Sequence, residues 1–221
     1  MNGKIAVQVL INSIEDHLAQ ASISGNLEER DNALASARGL AEKCVLAYPD
    51  DPDCWFVAGL AMYDSFAIDE AYGNQAEQYL KRALNFDEGH QFARLYLGHY
   101  YYDNGLYEDA LFHFEKVTNS YFLAASKEWR ILKLHELILC CKLRLNHLNI
   151  NLDSFNSLVQ EFDHSLPEDV PVPLELAVSL METKASPIWQ RINRMQVLKL
   201  FVDFIERQGF KETLQDYVAA F

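Results

Sequence analysis

The chain has 221 residues, 50% of them hydrophobic, and carries 19 basic against 32 acidic side chains for a formal charge of −13. That acidity argues against nucleic acid and against an anionic membrane surface, both of which need clustered Lys and Arg. Disorder is excluded too: apolar and aromatic content this high can bury enough surface to offset chain entropy, and area scaling puts roughly three quarters of the extended chain's surface inside one domain or two small ones.

The N-terminus begins like a secretory leader, with Lys4 before an apolar stretch. Gln8 and Asn12 interrupt it, however, and Glu15, Asp16 and His17 stand where a small-residue cleavage site would be. Val7, Leu10, Ile11, Ile14 and Leu18 instead fall on one face of an amphipathic helix. Further on, no proline occurs between Pro52 and Pro167, which permits continuous helices. Short turn clusters at Asp87 to Gly89, Asn104-Gly105 and Thr118 to Ser120 divide that stretch into antiparallel hairpins. Asp51-Pro52 and Ser186-Pro187 each read as an N-cap followed by proline in the first turn. The expected helices are 4–22, 28–48, 52–66, 72–86, 89–103, 107–118, 122–146, 152–164, 173–184, 187–208 and 211–219, with no alternating strand to compete. Pro167, Pro171 and Pro173 mark a hinge at 165–173, giving a body over 1–164 and a C-terminal helical cap over 165–221 that packs on the same structure.

Cys44, Cys54, Cys140 and Cys141 have no metal-ligand spacing, and the last two are adjacent in a helix, where side chains diverge. They read as buried free thiols, which suits a reducing cytoplasm. No segment approaches 18 uninterrupted apolar residues, so a soluble cytoplasmic protein is expected.

The stretch from Gln91 contains Leu97, Gly98, Tyr101, Gly105, Tyr107, Ala110 and Phe114 at the spacing of a helical-hairpin repeat. It resembles the tetratricopeptide repeat, a 34-residue helix–turn–helix unit, with Arg94 in place of the usual Trp and Val117 in place of the usual Ala. A unit over 52–90 matches fewer positions, through Trp55, Gly59, Ala76, Leu80, Ala83 and Leu84, with about five residues inserted around Phe66 to Gly73. A unit over 126–164 matches fewer still, through Trp129 and Leu132, with Lys133 where glycine is usual. Ala37, Ala41, Cys44 and Pro49 fit the second helix of a preceding unit. The resemblance implies an all-α, right-handed helical-hairpin solenoid of about three to four repeats with capping helices at both ends. Small residues such as Gly98 and Ala110 would sit where the paired helices approach most closely.

The same resemblance implies a groove that binds a polypeptide. Its residues would be Asp53, Phe56, Leu60, Tyr63 and Asp64 from one unit, Phe92, Leu95, His99, Tyr102 and Asp103 from the next, and Lys127, Arg130, Leu134, Leu137 and Ile138 from the third. The groove is aromatic and acidic in its first two thirds, with the cations Lys127 and Arg130 near its far end, and Phe56 and Leu60 stand where a carboxylate-gripping clamp would need polar groups, so no such clamp is expected. Charge follows the same division: residues 1–121 hold 8 basic and 19 acidic side chains, whereas 122–221 hold 11 and 13. Such regional acidity steers a basic partner.

No catalytic constellation emerges. His135-Glu136 begins a zinc-protease motif that ends in Leu139 instead of histidine, Asp163-His164-Ser165 are too close in sequence to form a relay, and the glycines are too scattered for a phosphate loop. The expectation is a non-enzymatic interaction module without cofactor or metal, an adaptor or an immunity-type antidote to a basic toxin, binding a basic protein or peptide and able to pair with a second copy. The alternative is an enzyme or ligand sensor with a pocket near Trp189, Arg191 and Arg194, between the repeat body and the C-terminal helices.

Overall fold

The computed structural model describes residues 2–124, 127, 129–145, 153, 156–158, 160, 175, 176, 178 and 179. Among these the chain is helical throughout, with no strand. Its helices are α1 (Asn2–Ile23), α2 (Leu27–Ala47), α3 (Pro52–Asp64), α4 (Glu70–Phe86), α5 (Gln91–Asp103), α6 (Tyr107–Phe114), α7 (Asn119–Ala124) and α8 (Trp129–Arg144). The chain divides into two compact units, Met1–Gly105 and Leu106–Phe221. The expected hinge at 165–173 and the helices from 187 onward lie outside the described residues.

In the first unit helices begin where a side chain can accept the otherwise unpaired amides of the first turn. Asn26 accepts from Glu28 and Glu29, Asp51 from Asp53 and Cys54, and Asp69 from Ala71. Asp51 is the cap read from the sequence, with Pro52 pre-set in the first turn. Gly105 stops α5 by adopting φ 72°, a left-handed conformation that other residues resist.

Consecutive helices α1 to α5 pack against one another in order, and the odd-numbered ones also touch, α1 on α3 and α3 on α5. The core consists of Ile14, Leu18, Leu34, Ala37, Ala41, Val57, Ala58, Met62, Ala76, Leu80, Ala83 and Leu97, all buried. Burial of such side chains at about 25 cal/mol per Å2 of apolar surface is the main stabilising term. Close approach of α3 and α4 depends on Gly59: a Cβ there would lie 2.7 Å from the Leu80 Cγ and 3.1 Å from the Leu80 backbone nitrogen. Trp55, one turn earlier on α3, donates from Nε1 to the Pro49 carbonyl at 2.7 Å and meets Tyr79 edge-on at 5.5 Å.

The segment between α3 and α4 packs back on both helices. Phe66 lies over Gly73, where a Cβ would come within 2.8 Å of its ring. Ser65 is fully buried, donating to Ala61 at 2.7 Å and accepting from Arg38 at 2.6 Å.

One cysteine expectation is corrected. Cys44 and Cys54 are joined in a disulfide, with Cα atoms 5.6 Å apart, while Cys140 and Cys141 are free and buried. The turn at 48–51 folds α3 back on α2, and that antiparallel return brings together two residues whose spacing along the chain gives no sign of it.

In the second unit α6 and α7 each pack on α8 around Phe114, Phe122, Leu134, Cys140 and Leu143. The single helix expected over 122–146 is interrupted: Lys127 is non-helical, its amide reaching back five residues to the Phe122 carbonyl at 2.9 Å. That wide closure ends α7 before α8 begins. Glu136, fully buried, pairs with Lys133 at 2.8 Å and accepts the Leu176 amide at 2.9 Å. Among the described residues no helix is long and apolar enough to cross a membrane.

Candidate functional site

Helices α3 and α5 lie side by side in the first unit, and their aromatic residues recur at helical spacing: Phe56 and Tyr63 on α3, Phe92, Tyr96 and His99 on α5. The rings form a continuous strip. Phe56 stacks on Phe92 at 5.9 Å and tilts against Tyr96 at 6.0 Å, Tyr96 meets Tyr63 edge-on at 5.8 Å, and His99 follows at 5.7 Å from Tyr96. Aromatic pairs at these separations contribute roughly 0.5–1.5 kcal/mol each beyond the area they bury, so the strip is pre-ordered.

Each end of the strip carries a carboxylate. At one end His90 accepts the Ala93 amide through Nδ1 at 3.1 Å and thereby caps α5. A ring nitrogen that accepts has no proton, so the proton sits on Nε2, which is 3.1 Å from Asp53 Oδ1 and donates to it. That hydrogen bond holds the Asp53 carboxyl below the usual carboxylate range, against a smaller opposing effect of burial. At the other end the Tyr63 hydroxyl donates to Asp103 Oδ2 at 2.5 Å. Burial first, and then the Asp103 charge, push the Tyr63 hydroxyl well above its usual range, so it remains the donor.

The residues implied by the repeat resemblance divide among different settings. Asp53 and Asp103 are exposed, Tyr63, Phe92 and His99 are half-buried, and Phe56 lies under the strip with 7% of its surface accessible. Leu95 and Tyr102 are buried at 3% and 7%. Tyr96, which the repeat positions do not select, is half-buried and joins three of the rings. Its signal is present in the sequence, because Phe92, Tyr96 and His99 share one helical face.

Asp64 follows Tyr63 at the end of α3, beside a cavity lined by Leu18, Ala21 and Ser22 of α1 and Arg30 and Leu34 of α2. Its residue surface reaches solvent through the mouth, while the surrounding walls desolvate the carboxyl and push it up to about 6.

Lys127 and Arg130 belong to the second unit, both half-buried near the start of α8. In the zinc-like sequence, Glu136 points into the interior toward Lys133 and Leu176, while the His135 ring lies 3.2 Å from Asn119. Among the described residues no group of three or more His, Cys, Asp or Glu side chains could hold a metal ion. Asp163, His164, Ser165, Trp189, Arg191 and Arg194 lie outside the described residues.

An aromatic strip with a carboxylate at each end offers π faces to aliphatic stems and to cations, and carboxylates to the charged heads of Lys or Arg. Comparison with family models and with curated proteins finds no match for this chain.

Proposed function

We propose that the protein is a non-catalytic interaction module of tetratricopeptide type that binds a basic polypeptide on the acidic, aromatic face of its first unit. The observation that carries this reading is the strip from Phe92 through Phe56 and Tyr96 to Tyr63 and His99, with Asp53 and Asp103 at its ends. Large, rigid aromatic rings give contact area at low entropy cost, which suits them as anchors.

A right-handed solenoid of about three to four helical hairpins is the architecture that fits best. In support, α1 to α5 pack in sequence, the odd-numbered helices α1, α3 and α5 touch, and Gly59 and Trp55 fall where the repeat pattern expects a small and a large residue. Charge agrees as well: residues 1–105 hold 7 basic and 16 acidic side chains, and a field of that sign accelerates encounter with a cationic partner. An adaptor and an immunity-type antidote to a basic toxin are both roles of this kind.

Affinity purification from the native organism, with the captured polypeptides identified at low and at high salt, tests the proposal. The expected result is a partner of high isoelectric point whose capture falls with salt and is lost in an Asp53→Lys, Asp103→Lys double variant. A partner held equally at both salt levels, or retained by that variant, would refute it.

A further inference from the structure

The cavity beside Asp64 is separate from the aromatic strip and is built from three helices of the first unit. Leu18 and Ala21 of α1 and Leu34 of α2, all buried residues, form its apolar wall. Ser22 and Arg30 stand with Asp64 around it, and the Ser22 hydroxyl is turned onto the Ala19 carbonyl at 2.8 Å. The volume is about 230 Å3, below the roughly 300 Å3 at which drug-sized ligand pockets begin, and therefore suited to one side chain rather than a cofactor.

Charge is the informative part. Among the described residues no hydrogen bond or ion pair reaches the Asp64 carboxyl. The cation beside it, Arg30, is turned to its own neighbour, with Nε and one terminal nitrogen each 3.3 Å from Asp31. Arg30 and Asp31 cancel, which leaves Asp64 as one uncompensated negative charge against an apolar wall. Asp64 is exposed at the rim of the cavity, so its carboxylate is open to a cation that comes from a partner.

We propose that this cavity receives a single lysine side chain of the polypeptide partner, its ammonium on Asp64 and its aliphatic stem along Leu18, Ala21 and Leu34. Lysine fits because its four-carbon stem packs on apolar surface while its head is a compact point charge. The raised proton affinity of Asp64, caused by partial desolvation, agrees with a carboxyl that has no counter-charge among the described residues. This assignment rests on the reading of the first unit as a receptor for basic polypeptides. It adds a second contact point, on α1 and α2, to the strip on α3 and α5.

The test uses the whole chain with 13C-labelled leucine methyls and three probes: the peptide Ac-Gly-Ala-Lys-Ala-Gly-NH2, its norleucine counterpart, and n-butylammonium. Norleucine keeps the stem and lacks the charge. The lysine peptide is expected to shift the Leu18 and Leu34 methyls in a saturable way, the norleucine peptide to bind about tenfold more weakly or worse, and Asp64→Asn to remove the difference between them. Asn is nearly isosteric with Asp, and the wild-type comparison of the two peptides decides the question independently of the variant. Shifts of equal size from both peptides, an unchanged response in Asp64→Asn, or no saturable shift with the lysine peptide would overturn the proposal. n-Butylammonium, which carries the same stem and charge, is expected to shift the same two methyls, and no saturable shift with it would overturn the side-chain assignment. Shifts confined to leucine methyls other than those of Leu18 and Leu34 would overturn the lysine site while leaving the basic-partner reading intact.

Discussion

Replacing Gly59 by alanine tests the helix packing where α3 and α4 approach closely. In an exposed helix the change would stabilise by roughly 1 kcal/mol, because alanine loses less backbone entropy than glycine. Here the new methyl would sit 2.7 Å from the Leu80 Cγ, 2.8 Å from its Cδ2 and 3.1 Å from its backbone nitrogen. The side chain of Leu80 is fully buried and cannot swing clear, and the backbone contact requires α4 to move away from α3. Overpacking of this kind costs about 1–3 kcal/mol or more. The net expectation is a loss of about 1–2 kcal/mol, which at a urea dependence of about 1–3 kcal/mol per M lowers the midpoint by roughly half to one M. Urea titration followed by circular dichroism measures it. Gly39→Ala is the control: that glycine lies inside α2 with nothing within 4 Å of a new Cβ, so the variant should be as stable as the parent or more so. In a Leu80→Ala background the cost of Gly59→Ala should shrink, because two of the three closest atoms are gone. A Gly59→Ala protein as stable as the parent, or a Gly39→Ala protein equally weakened, would refute the close-approach argument.

Asp64→Asn should stabilise the protein at neutral pH. With the folded-state carboxyl pushed up to about 6 from 3.8, the folded chain keeps a proton that the unfolded chain releases, so stability falls as pH rises through that window. The full shift corresponds to about 3 kcal/mol; the carboxyl's access to solvent brings the expected effect to ~1 kcal/mol or less. Thermal melts should coincide below pH ~4 and separate above it in favour of the variant. The groups around that carboxyl, Arg30 and Asp31 of α2 and Tyr63 bonded to Asp103 of α5, are common to both proteins and leave the difference unchanged. Glu136→Ala leaves the Leu176 amide without its acceptor and frees the partly exposed Lys133 ammonium; a loss of about 1–3 kcal/mol is expected, with faster hydrogen exchange at Leu176 as its local signature. Alkylation of the unfolded, unreduced protein should label Cys140 and Cys141 and spare Cys44 and Cys54, whereas four labelled cysteines would refute the pairing.

Much of the helical framework is legible in the sequence. Asp51-Pro52 starts α3, Asn104-Gly105 ends α5, and the turn at Asp87 to Gly89 separates α4 from α5, because capping and turn formation depend on residues a few places apart. Repeat spacing also selects Gly59 and Leu80, which meet where α3 and α4 approach most closely. The aromatic strip is only half visible: Phe56, Tyr63, Phe92 and His99 follow from the repeat positions, but Tyr96 does not, and Leu95 and Tyr102, which those positions also select, are buried.

An acidic, helical chain, the starts and stops of its helices in the first unit, and the concentration of negative charge there all follow from the sequence alone, since they depend on composition and on neighbours within a turn. Tertiary packing is what returns Cys54 to Cys44, lets His90 both cap α5 and bind Asp53, brings Tyr63 to Asp103, and sets Asp64 beside a cavity whose Arg30 is turned to Asp31. Each of these depends on side chains from different helices. Helical periodicity gives the face on which a residue lies, whereas its partner is set by the rotation and offset of the neighbouring helix, which follow from packing of the entire unit.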